Sequence, residues 1–173
     1  MSESRLSLRK LTLAAVIGAA YAVLSLLSGV FALTYGPVQC RFSEALTVLP
    51  FLFPEAVWGL FAGCLLTNIL SPYGLLDVVF GSLATLIAAL WTSRCRSARM
   101  APLPPVLCNM VILGVLFSWQ SVGFGPGFLP AFAFNAISVG VGQALSCYIL
   151  GGILLKTLPQ VASLRPYMAT ARR

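Results

Sequence analysis

Residues 42–76 read FSEALTVLPFLFPEAVWGLFAGCLLTNILSPYGLL, and whether this stretch crosses a bilayer once or twice decides the fold. It is predominantly apolar, but Pro50, Pro54 and Glu55 interrupt it near the middle. Proline disfavours helix at the residue before it and readily opens the helix that follows, so Pro54 and Glu55 read as a turn between two short helices. Two crossings that share 35 residues have roughly 26 Å of helix each at ~1.5 Å per residue, slightly less than a hydrocarbon core near 30 Å. Apolar spans of more usual length surround the stretch at roughly 11–31, 78–93, 104–122 and 130–155.

Charge settles the parity. Arg5, Arg9 and Lys10 precede the first span, and Arg94, Arg96 and Arg99 follow the one that ends near residue 93. A single crossing in 42–76 would put these two groups on opposite sides, against the tendency of basic residues to stay in the cytoplasm. Two crossings put them on the same side, together with Lys156, Arg165, Arg172 and Arg173. Only Arg41 among the 11 basic residues is then external. The expectation is an all-α integral membrane protein, a bundle of six transmembrane helices. A cytoplasmic segment covers 1–10, the transmembrane domain 11–158 and a basic cytoplasmic tail 159–173.

Composition agrees. Hydrophobic residues make up 59% and charged residues 9%, with a mean hydropathy of +0.95. Water-facing surfaces draw on about 25% charged residues, so this inventory excludes an ordinary soluble enzyme and a disordered chain. The net charge of +7 is explained by membrane orientation, since the basic residues flank apolar runs, and no nucleic-acid partner is expected. Leu11 to Leu33 carries no charge over 23 residues, longer than a signal peptide's apolar core of about 7–15, and reads as a retained span. The five cysteines show no CxxC pair and there is no histidine. They read as small buried hydrophobes, and neither a metal site nor a cofactor is expected.

The sparse polar groups collect at the outer ends of the spans. Arg41 and Glu44 open the second, Asn68 and Ser71 close the third, Asp77 opens the fourth, Gln120 closes the fifth and Asn135 lies early in the sixth. Charges at membrane depth are costly and point to function. Arg41, Glu44, Asn68, Asp77 and Asn135 are therefore the candidate substrate-binding residues, for a polar planar molecule that Tyr35, Phe42, Tyr73, Phe124 and Phe128 can stack on. The plainer alternative pairs Arg41 with Glu44 and leaves Asp77 as a helix-start charge. Glu55, on the inner side, reads as a turn or partner contact, and Asn109, Ser138 and Gln143 as interhelical hydrogen-bonders. Ala14, Ala15, Gly18 and Ala19 form a small-residue surface on the first span, which suits either packing within the bundle or docking of another membrane subunit. The glycine-rich run at 123–128 follows no strand and lacks a GKS/T ending, so it reads as a turn. No Walker A, GxSxG or HExxH motif occurs, and energy for uphill transport has to come from a partner or an ion gradient.

The segment Gln39-Cys40-Arg41-Phe42-Ser43-Glu44-Ala45-Leu46-Thr47-Val48-Leu49-Pro50 resembles the queuosine-precursor transporter family, called QueT. The resemblance continues through Gly59–Cys64, Asn68, the segment from Leu76 through Leu86, and the segment from Asn135 through Gln143, and it covers about residues 8–158. One position departs from it: Gln143 stands where an acidic residue is common. The family implies a substrate-binding S component of an energy-coupling-factor (ECF) transporter, a non-enzymatic subunit in a prokaryotic plasma membrane with both termini cytoplasmic. It implies partners as well: a transmembrane T component docking on the small-residue surface, and two ATPases that use ATP and Mg. The implied ligand is a 7-deazaguanine such as preQ0 or preQ1, with Glu44 or Asp77 accepting from its N1–H and amine, and Arg41 or Asn68 donating to its O6/N7 edge. The alternative function is a self-sufficient small carrier or channel for a polar metabolite. An intramembrane enzyme using Glu44 and Asp77 as acid and base lacks a nucleophile and metal ligands.

Overall fold

The computed structural model describes residues 2–31, 40–70 and 74–169, with side chains from residue 8 onward. Among these residues there is no strand, and six main helical segments follow one another, with a short 3₁₀ turn at Arg165–Tyr167 after them. They are α1 (Ser2–Val30), α2 (Phe42–Phe51), α3 (Ala56–Ile69), α4 (Asp77–Ser93), α5 (Leu103–Val122) and α6 (Phe128–Gln160). This is the expected helical membrane bundle. The part of α1 from Leu8, α5 and α6 are long and apolar enough to cross a bilayer by themselves, while α2, α3 and α4 are shorter.

The doubtful stretch folds as two segments joined where the prolines predict. The first differs in kind from the expectation, because α2 winds as a 3₁₀ helix over 10 residues with Pro50 inside it. At ~2.0 Å per residue this winding spans about 20 Å, close to the ~21 Å of the 14-residue α3 at ~1.5 Å per residue. Both are shorter than the ~26 Å allotted from the sequence, because residues 52–55 are used for the turn and α3 already ends at Ile69. There Phe53 N–H donates to Leu49 O at 2.8 Å and Val57 N–H to Pro54 O at 3.3 Å.

Packing explains where the bundle is tightest. A Cβ on Gly59 would sit 2.1 Å from Ala14 O, one on Gly18 2.6 Å from Gly59 O, and one on Gly63 2.4 Å from Gly18 O. The α1 and α3 backbones therefore touch, which only small residues permit. The main core lies at the turn end of the bundle, where Ile17, Tyr21, Val48, Leu49, Phe53 and Leu60 cluster. The chain's last described residues fold back to it: Met168 is buried there, and Ala169 N–H donates to Leu52 O at 2.9 Å. A smaller cluster, Leu113, Leu116, Phe117 and Val139, joins α5 to α6.

Local chemistry ends the helices. Gly74 (φ 73°) precedes α4 and Gly123 (φ 64°) follows α5, both in the left-handed region that suits glycine. Pro104 and Pro105 stand in the first turn of α5, where their missing N–H groups have no helical partner to lose. Thr92 Oγ1 donates to Ala101 O at 3.2 Å and closes the connection between α4 and α5. The surface is inverted relative to a water-soluble protein: Leu11, Val23, Trp58, Leu66, Ile149 and Ile153 are exposed, whereas Ser25, Ser43, Glu44, Asn68, Asp77 and Asn109 are buried. That is the arrangement of a chain whose solvent is lipid.

Candidate functional site

A polar row on α1 begins the site. Tyr21, Ser25 and Ser28 recur at helical spacing and face α2. Ser28 Oγ accepts from the backbone N–H of Phe42 at 2.8 Å, and Ser25 Oγ donates to Ser43 Oγ at 2.6 Å. Tyr21 O–H donates to Glu44 Oε1 at 2.7 Å. The other oxygen, Glu44 Oε2, accepts from Asn109 Nδ2 of α5 at 3.5 Å. Glu44 is only 3% exposed, and a carboxylate so buried is tolerable because donors meet both oxygens. The 3₁₀ winding puts Glu44 and Thr47 on one edge, where the Thr47 hydroxyl donates to Glu44 O at 2.6 Å.

The second half centres on Asn68. Its Oδ1 accepts from the Arg41 guanidinium at 3.5 Å. Its Nδ2 faces three acceptors: Cys64 Sγ at 3.3 Å, Asp77 O at 3.2 Å and Ser82 Oγ at 3.3 Å. An amide nitrogen carries two hydrogens, so these contacts are shared. Gly81 permits this crowding, since a Cβ there would lie 2.8 Å from Asn68 Nδ2 and 2.9 Å from Asp77 Oδ1. Asp77 itself is 1% exposed, and its Oδ2 has no hydrogen-bond partner. Arg41, half-buried at the entry to α2, interacts electrostatically with both Glu44 and Asp77.

Four of the five candidate residues thus come together: Arg41, Glu44, Asn68 and Asp77. The one ion pair among the described residues is Lys10 Nζ–Glu55 Oε1 at 2.5 Å. Arg41 and Glu44 therefore form no direct ion pair, and their hydrogen bonds go to other groups. Asn135 shares no hydrogen bond with them among the described residues and bonds within the α5–α6 pair, donating to Ser118 Oγ and Ala131 O at 3.0 Å each. Phe124 and Phe128 pack with their neighbours in a chain running Trp119, Phe124, Phe128, Phe132, in which the last pair is stacked and the others are tilted. Phe124 and Trp119 also line an apolar cleft of about 360 Å³ that begins at Leu76, beside Asp77. Tyr35, Ser71 and Tyr73 lie outside the described residues.

Other expectations divide similarly. Glu55 sits at the turn between α2 and α3, paired with Lys10, and its Oε2 is buried without a partner. Asn109 is an interhelical hydrogen-bonder, whereas Gln143 accepts from Cys147 Sγ within its own helix at 3.5 Å. The small-residue surface splits: Ala14 and Gly18 are buried against α3, while Ala15 and Ala19 face outward. All five cysteines are free thiols, four of them buried. Among the described residues no group of three or more His, Cys, Asp or Glu side chains could hold a metal ion. Tyr21 was not singled out from the sequence, although its spacing with Ser25 and Ser28 marks a polar face on an apolar helix.

The family described as QueT transporter matches residues 11–160 of the chain. A protein of Lactococcus lactis subsp. cremoris (strain MG1363) named Queuosine precursor transporter QueT is 36% identical over 73 residues, which are 42% of this chain and 43% of that protein. The aligned part thus spans less than half of that relative's length. No solved structure matches.

Proposed function

Because the chain belongs to the QueT transporter family, we propose that it captures a queuosine precursor, a 7-deazaguanine such as preQ0 or preQ1, as the S component of an ECF-type importer. The observation that carries the ligand reading is the buried Asp77 Oδ2 without a donor, set beside Asn68 and the Arg41 cation. A buried polar atom without a partner asks for one. The N1–H and exocyclic amine of a guanine-like ring supply two donors in one plane, and a carboxylate accepts both. Arg41 offers the complementary donors to the carbonyl edge and offsets the charge of Asp77 and Glu44. Glu44, with both oxygens engaged by Tyr21 and Asn109, serves to hold α1, α2 and α5 around the site.

The family and the basic inner segments support a plasma-membrane protein of a prokaryote with both termini in the cytoplasm. A T component docks on α1, and of the four small residues it is Ala15 and Ala19 that remain outward for it. Two partner ATPases hydrolyse ATP with Mg.

Calorimetry on the purified protein in detergent tests the capture reading, using preQ0, preQ1, guanine and riboflavin. Saturable binding of a deazaguanine, without turnover and with no response to riboflavin, is the expected result. Equal weak responses to all four would overturn the substrate. Uptake into liposomes by this chain alone, without ATPases, would replace the S-component reading with the self-sufficient carrier.

A further inference from the structure

At the end of the bundle that carries Lys10 and the arginines after α4, a cleft of about 490 Å³ opens between the α4–α5 connection and α6. Arg99 and Pro102 form one wall, and Tyr148, Gly152, Leu155 and Lys156 the other. Two features set its chemistry. Arg99 and Lys156 are both exposed, and among the described residues neither has a carboxylate partner, since Glu55, the described acid at this end, is paired with Lys10. The α6 wall is long: Tyr148, Gly152 and Lys156 lie on one face, and Lys156 is roughly 12 Å along the helix from Tyr148. The cleft therefore starts at two cations and continues for two turns toward the middle of the bundle.

Gly152 faces open space within the cleft. A Cβ added at Gly152 would meet nothing within 4 Å, whereas one at the adjacent Gly151 would press on Val48 at 2.9 Å and one at Gly140 on Met110 at 2.9 Å. The neighbouring glycines are needed for helix packing. Gly152 is not, and it widens the cleft.

We infer that this cleft binds an anionic phospholipid, with its phosphodiester between Arg99 and Lys156 and an acyl chain along the Tyr148–Gly152 face of α6. Two unpaired cations at a membrane boundary attract a phosphate headgroup. A free phosphate shares that chemistry but would leave the apolar lower wall unused. The site lies at the end of the bundle opposite Arg41 and Asp77 and shares no lining residue with them.

Native mass spectrometry of the purified protein in a neutral detergent tests this, with phosphatidylglycerol, phosphatidylcholine or inorganic phosphate added separately. The expected result is retention of one phosphatidylglycerol at no less than tenfold preference over phosphatidylcholine, with no competition from millimolar phosphate. Gly152→Leu keeps both charges and fills the open space, and it is expected to reduce that retention at least tenfold with an unchanged melting temperature in lipid-free detergent. The Arg99→Gln/Lys156→Gln pair is expected to abolish the preference between the two lipids; if that pair does not fold, Gly152→Leu decides alone. Equal retention of the two lipids, undiminished retention by Gly152→Leu, or displacement by millimolar phosphate would each overturn the proposal, the last by assigning a free anion to the site.

Discussion

Asp77 and Glu44 are both buried acids, yet one is hydrogen-bonded through both oxygens and the other keeps an oxygen free. Substituting them therefore has different consequences. Asp77→Asn presents an N–H where a ligand donor is expected, and loss of a charged hydrogen bond, about 1.5–3 kcal/mol, lowers affinity for a deazaguanine roughly 10- to 100-fold; titration calorimetry reads it. Tyr21→Phe acts on the fold instead. It strips Glu44 Oε1 of its donor and is expected to cost about 1–3 kcal/mol of stability, seen as a lower melting temperature in detergent. Gly81→Ala pushes a methyl group against Asn68 and Asp77, and weakened ligand binding with little change in melting is the outcome to look for. Arg41, Glu44, Asn68 and Asp77 were legible from sequence because charges and amides are conspicuous in an apolar chain. Asn135 bonds instead to Ser118 and Ala131; sequence shows which end of a helix a residue occupies, but not the face it presents. Tyr21 was missed because a tyrosine in an apolar run passes for bulk hydrophobicity.

Among the helices, α1 and α3 meet through backbone at Ala14, Gly18, Gly59 and Gly63. Gly59→Ala forces the helices apart, at an overpacking cost of about 1–3 kcal/mol or more, and thermal unfolding detects it. Ala15→Leu and Ala19→Leu lie on the outward face and are expected to change stability by within ~0.5 kcal/mol. If the T component docks there, the same two substitutions abolish its co-purification. A spacing of small residues announces close approach without naming the partner helix, so the sequence left both readings open. The turn at Pro54 and Glu55 was readable because proline acts locally. The 3₁₀ winding of α2 was not, because it is imposed by surroundings: Ser43, Glu44, Ala45 and residues 47–51 are all buried, enclosed by α1, α4 and α6.

At the scale of the whole molecule, the membrane character was legible from composition, because 9% charged residues cannot clothe a water-facing surface. The proposed orientation follows from the distribution of arginine and lysine. A reporter that is active only in the cytoplasm is expected to work when fused after residue 173, and to fail when inserted at 33–39. The opposite pattern would reverse the sidedness of both the polar site and the lipid cleft. The winding of α2 bears on how such a chain can change over evolutionary time. Each residue of that segment advances about 2.0 Å and turns a third of a circle. Deleting one residue between Ala45 and Leu49 would draw Arg41 and Glu44 inward by that step and swing them away from Tyr21 and Asn68. Homologous chains are thus free to exchange side chains in this stretch but are held to its residue count, and an alignment in which gaps avoid 42–51 is the signature to expect.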